Sequence, residues 1–189
     1  MNLEFDRRNS ARVSLQEFCS CMERLIDDEL LMQYSVISMH NALQGYMTIY
    51  LRDHDLLDTW KKDHAKKWEK TEYPKMLSTE GKYQPKKYPQ LDLFMELFNK
   101  VFGGKDHNVE RELVDALNEQ RNNFIHFNTD CFSLEKQYAL GACAEALKAI
   151  MFIANADRRL FDCEEEQQEF EALYEKAQGQ INAHQPPNK

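Results

Sequence analysis

Glycine and proline are scarce, six and five in 189 residues. With so few turn formers, and no run that alternates apolar and polar residues, a sheet of short strands joined by hairpins is excluded. Cysteine is also rare and odd in number: Cys19, Cys21, Cys131, Cys143 and Cys163, with no CxxC pair. That spacing excludes a zinc finger and a fully paired disulfide framework. Cys19 and Cys21, two residues apart on a helix, point about 160° away from each other and read as reduced, partly buried thiols. Long apolar runs are missing too. The longest, Ala149 to Ala154, is far too short to cross a bilayer, and the opening MNLEFDRRNSARVSLQEF is charged where a secretory signal needs apolar residues. The expected location is the cytoplasm, with no membrane partner. Finally, positive charge is in deficit: 24 Lys and Arg against 32 Asp and Glu give a net charge of -8. This excludes an indiscriminate coat for polyanions but not a local basic site.

What is present is a globular composition, 42% hydrophobic and 11% aromatic. A chain of this length buries roughly 70% of its unfolded surface and needs neither disulfide nor structural metal to fold. Apolar residues recur at three and four positions, so the expected fold class is all-α. One helical pattern starts near Ser14, where Ser14 and Glu17 match a capping box, and continues or restarts through Tyr50. Others cover Leu91 to Val101, stopped by Gly103 and Gly104; a stretch from about Asn108; and Leu134 to about Leu160. Four principal helices would make a bundle. We expect a single domain over 1–189, with a core at about 29–160, an irregular insertion at about 60–90 and an acidic extension at about 161–189.

The chemistry-bearing segment is LNEQRNNFIHFN, Leu117 to Asn128. Asn122 and His126 are four residues apart and share a helix face, whereas Arg121 and His126 are about 140° apart. The arginine must reach round, the helix must loosen, or the working pair must come from two chains. Asp115, Asn118 or Glu119, Asn122 and His126 form a polar strip that should face water or a partner. A histidine exchanges protons near neutrality, and an arginine offers a permanent cation with a fork of donors suited to phosphate oxygens. Cleavage of an RNA phosphodiester needs both functions: proton transfer at the 2′-OH and the 5′-oxygen, and charge neutralisation at phosphorus.

Arg121-Asn122-Asn123-Phe124-Ile125-His126 resembles the RNxxxH form of the Arg-x4-6-His motif of the HEPN superfamily, and sits late in the third of four expected helices, as in that family. Ser38-Met39-His40-Asn41-Ala42-Leu43-Gln44-Gly45-Tyr46 is similar to the family's early helix. The resemblance spans roughly Glu29 to Leu160. It implies a HEPN-like four-helix bundle that forms a homodimer with a composite active site. It also implies a metal-independent endoribonuclease, without cofactor, leaving 2′,3′-cyclic phosphate and 5′-OH ends. Such proteins often serve as toxins or antiphage effectors, which brings in an antitoxin or regulatory partner. Carried over by position, His126 is the acid-base group, Arg121 holds the scissile phosphate, and Asn122 orients it. The alternative is a non-catalytic nucleotide- or RNA-binding or protein-interaction module, as some family members are. The insertion and the acidic extension depart from the family pattern.

Between Lys61 and Lys87 the insertion has nine lysines and four acids, a local charge of +5. Lys61, Lys62, Lys66, Lys67, Lys86 and Lys87, with Trp68 among them, supply the cations and rings that single-stranded RNA sites use. The bland expectation is a solvated loop whose aromatics pack on the bundle. His54 and His64 lack metal-ligand spacing, so no metal site is expected. His40 reads as a hydrogen-bonded packing residue and His107 as a helix-start cap. Phe124, Ile125 and Phe127 read as core or dimer anchors. The segment Asp162 to Glu175, seven acids and no base, would dock a basic partner or mask the insertion.

Overall fold

A computed structural model describes residues 6–79, 82–83, 85, 87–126 and 133–185. Among them the fold is all-α. Eight helices follow in order: α1 Arg7–Arg24, α2 Met32–His54, α3 Lys62–Thr71, α4 Tyr73–Ser78, α5 Phe94–Phe102, α6 Arg111–His126, α7 Lys136–Ala156 and α8 Glu164–His184. The nearest approach to a strand is one isolated antiparallel bridge, Trp60 to Leu91.

α1 begins about two turns before the expected Ser14. Asp6 accepts a hydrogen bond from the Asn9 amide and caps the helix there, satisfying one of the donors that every helix start leaves orphaned. With that cap upstream, the Ser14 hydroxyl lies inside the helix and donates to the Ser10 carbonyl instead of capping. α1 and α2 are separated by a 3-10 turn over Glu29–Leu31, capped by Asp28. α5 ends as expected at the glycine pair, where Gly104 has a φ of 73°, a left-handed conformation open to glycine at little cost.

Ion pairs fix the helix directions. Glu29 meets Lys136 at the start of α2 and α7, while Asp53 and His54 at the end of α2 meet Arg159 just beyond α7, so these helices run parallel. α8 runs parallel to α1, with Arg8 paired to Asp162 and Lys176 to Glu23. Leu15, Phe18 and Met22 of α1, Met39, Leu43 and Met47 of α2, Leu140 and Ile150 of α7, and Phe170 and Ile181 of α8 share one continuous core. The core therefore reaches beyond 29–160 at both ends. The acidic segment becomes the first half of α8, where three glutamates complement the positive end of the helix dipole. Two of its acids have basic partners within the chain, Asp162 with Arg8 and Glu169 with Arg12.

By length and composition α7 is apolar enough to cross a membrane, but 61% of its apolar window is buried inside the bundle. It is the central core helix. α1 and α2 approach closely at Gly45 of α2, where an added Cβ would meet the Ala11 Cβ at 2.7 Å and its Cα at 3.2 Å. Because Ala11 is itself backbone-proximal and has no rotamer to turn, relief needs movement of α1. Gly45→Val should therefore cost about 1–3 kcal/mol, from overpacking. Urea unfolding checks it; an unchanged midpoint would contradict the close packing.

The insertion is more ordered than an irregular loop. After a 3-10 turn at Leu56–Thr59, α3 and α4 fold against each other. Trp60, Ala65 and Trp68 are buried in a satellite core with Leu56, Leu57 and Met76 around them. The two indoles meet edge to face, centroids 5.1 Å apart, a favoured aromatic geometry. Lys100 clamps the base of the insertion, donating to the Asp58 carbonyl at 2.8 Å and to the Asp92 carboxylate at 2.7 Å.

Candidate functional site

α6 remains α-helical through His126, so loosening of the helix at the motif is not how Arg121 and His126 would meet. Arg121 turns to its neighbour instead: its Nη1 donates to the Asn122 Oδ1 at 3.0 Å. The Arg121 Nε is buried and has no hydrogen-bond partner among the described residues. Arg121 and Asn122 are half-buried, whereas Ile125 and His126 are exposed on the last turn. The structure thus brings Arg121 and Asn122 together and leaves His126 on another side of the helix end. The polar strip is more covered than expected, since Asp115, Asn118 and Asn122 are all half-buried.

His40 is what covers part of that strip, a neighbour that motif spacing could not reveal. It projects from α2, is 2% exposed, and its Nε2 lies 3.2 Å from the Asn118 Oδ1. As that amide is oriented, Nε2 carries the proton and donates. Its ring stacks on Phe94, centroids 4.1 Å apart. This is the hydrogen-bonded packing residue expected from the sequence, but it also touches the motif electrostatically. Burial, and then the Arg121 cation, push the imidazole down from 6.5 to about 4, against the opposing pull of Asn118 and Asn41. At neutral pH His40 is therefore uncharged, which spares the half-buried arginine a second cation.

A measurable pH dependence follows. Between pH 4 and 6.5 the unfolded histidine binds a proton that the folded one refuses, so stability rises with pH across that window. The contribution is fully present above 6.5 and lost as pH falls to 4, a difference on the order of 3 kcal/mol for a shift of this size. Urea unfolding at pH 7 and pH 4.5 should show a steep loss in the wild type and a shallower one in His40→Asn. Equal slopes would contradict the assignment.

Lys62, Lys66 and Lys67 are exposed on α3, Lys61 is half-exposed at its start, and Lys87 is exposed on the returning segment. Lys86 lies outside the described residues, as does Phe127. Trp68 points the other way: at 5% exposure it belongs to the satellite core and presents no face to an incoming base. Alternation of lysine and tryptophan in the sequence reflects the two sides of an amphipathic helix. His107 accepts from the Val109 amide at 3.3 Å, a contact within the segment ahead of α6 that caps none of the helix's own amides. His64 accepts from the Gln90 amide, and His54 sits beside the Tyr50 carbonyl and Asp157. Burial pushes the Cys19 and Cys21 thiols up to about 11 and Cys143 to about 12, so these three are protonated and unreactive near neutrality.

Compared with protein-family models, curated proteins and solved structures, the chain returns no match in any of the three. The fold and site by themselves define an all-α protein with a half-buried arginine and asparagine pair beside an exposed histidine.

Proposed function

We propose that the chain is a HEPN-type endoribonuclease that cuts RNA by attack of a 2′-OH on the adjacent phosphodiester, acting as a homodimer, in a toxin or antiphage role. The observation that carries this reading is the guanidinium of Arg121, steadied by Asn122 and left with a free buried Nε, five residues before an exposed His126. A cation held in this way suits the scissile phosphate and the charge that grows on it. His126 accepts the 2′-OH proton or donates one to the departing 5′-oxygen. With α6 helical and Arg121 held by Asn122, the proposal pairs the arginine of one chain with the histidine of a second.

An apolar end of the bundle supports the homodimer. Glu29 pairs with Lys136 there, and the start of α6 is tied to the middle of α7 by the Glu110 amide donating to the Glu145 carboxylate at 3.0 Å. Leu30 and Tyr34 beside Glu29, and Tyr138 beside Lys136, lie at that end. Leu30 is 81%, Tyr34 55% and Tyr138 48% exposed, a grouping that favours coverage by another molecule.

The test is incubation of the purified protein with single-stranded RNA in excess EDTA, followed by end-group analysis. Cyclic phosphate and 5′-OH ends are expected, and intact RNA would contradict the reading. A second reading is favoured by the divergence of Arg121 and His126 within one chain: a non-catalytic module that binds RNA or nucleotide there. It predicts binding with no cleavage.

A further inference from the structure

A groove of about 1250 Å³ opens on another side of α2, walled by the start of α1 and by the base of the insertion. Its floor is the polar face of α2, where Asn41, Gln44 and Thr48 follow one another. Two arginines flank it, Arg7 from α1 and Arg52 from α2. Neither makes a hydrogen bond or ion pair among the described residues. Burial and the Arg52 charge together hold the Arg7 guanidinium below its ordinary pKa, the mark of two cations kept close without a counterion.

The acids around the groove are differently placed. Asp162 and Asp53 are paired with Arg8. Asp6 is occupied by the Asn9 amide, and Glu166 accepts from the Asp162 amide. The opposite rim carries Tyr88, 65% exposed and next in sequence to the exposed Lys87. An unneutralised arginine pair, a polar floor and an open aromatic rim correspond to the parts of a nucleotide: phosphate, sugar and base.

We propose that this groove binds the phosphate of a nucleotide unit between Arg7 and Arg52, with the base against Tyr88, whether as a free nucleotide or within single-stranded RNA. His40 and Asn41 are successive residues of α2, about 100° apart, so the groove and the Arg121 region occupy adjoining sides of the same helix. RNA held in the groove would be delivered beside the motif. The proposal concerns binding alone and stands or falls apart from cleavage.

The experiment uses full-length His126→Ala protein, so that no turnover complicates the readout, and compares it with the same chain carrying Arg7→Gln and Arg52→Gln. The probes are a fluorescein-labelled, uncleavable 2′-O-methyl oligonucleotide, read by anisotropy, and AMP, read by calorimetry. Because neither arginine has a side-chain partner among the described residues, circular dichroism should be unchanged in the variant. Losing charge-assisted hydrogen bonds should weaken binding by about 10- to 100-fold. With the oligonucleotide the salt slope should also shrink by about 0.7 for each phosphate that is no longer neutralised. Tyr88→Ala should weaken both probes with the salt slope unchanged. Loss confined to the oligonucleotide assigns the site to RNA, and loss confined to AMP assigns it to a free nucleotide. Failure of both probes to bind, or equal binding by the Arg7→Gln/Arg52→Gln variant, would overturn the proposal.

Discussion

His126→Ala is expected to reduce RNA cleavage by about 10²- to 10⁴-fold, the range for losing one positioned proton transfer. It should do so with little change in stability. His126 is exposed on the last turn of α6, and exposed positions without core contacts usually tolerate substitution within about 0.5 kcal/mol. The pairing of a large activity loss with an unmoved thermal midpoint separates catalysis from folding. His126→Gln should fail equally, because an amide keeps the size and hydrogen bonding but cannot exchange the proton. Cleavage by either variant at the wild-type rate would remove His126 from the mechanism.

Arg121→Gln should cost about 10²- to 10³-fold in cleavage, the scale for removing one electrostatic contact to a developing anion. Unlike His126→Ala it should also be felt inside the protein. The Arg121 cation is the second cause, after burial, of the depressed His40 pKa. Its removal should therefore raise that pKa toward 6.5, visible as a shift in the histidine ring titration by NMR. Arg121→Lys should restore the depression of His40 more fully than it restores cleavage, since lysine replaces the charge but not the planar fork. An unmoved His40 titration in Arg121→Gln would show that the two side chains are not electrostatically coupled.

Helical periodicity made the fold class legible, because a 3.6-residue repeat and a shortage of glycine and proline leave few other solutions. α5 and α7 begin and end, and α6 begins, within a few residues of where apolar stripes and the Gly103–Gly104 pair place them. Legibility failed where a local signal competed with another. Ser14 and Glu17 have a capping-box spacing, but Asp6 had already capped the helix upstream. The insertion's lysines obscured an amphipathic pattern in which Ala65 and Trp68 face inward. The acidic run read as an extension because Phe170, Leu173 and Tyr174 at helical spacing mark a helix but not what it packs on; α8 buries Phe170 together with Ala177 and Ile181 beyond the run.

At the candidate site, spacing singled out Arg121, Asn122 and His126, and the helical angle it sets between arginine and histidine applies because α6 is α-helical through His126. It could not find His40, which lies far away in sequence and meets α6 only through tertiary packing. The groove at Arg7 and Arg52 was hidden for the same reason. One arginine begins α1 and the other ends α2, and antiparallel packing of those helices brings them to the same opening.

The most direct test of a composite site is complementation between two inactive chains. Arg121→Gln protein keeps its histidine, and His126→Ala protein keeps its arginine. If the working pair spans two chains, a mixed dimer holds one intact pair. Random exchange makes half of the dimers mixed, so mixing equal amounts should recover about a quarter of wild-type cleavage from two preparations that each have almost none. Wild-type cleavage with no recovery on mixing, although the subunits exchange, would contradict the composite site.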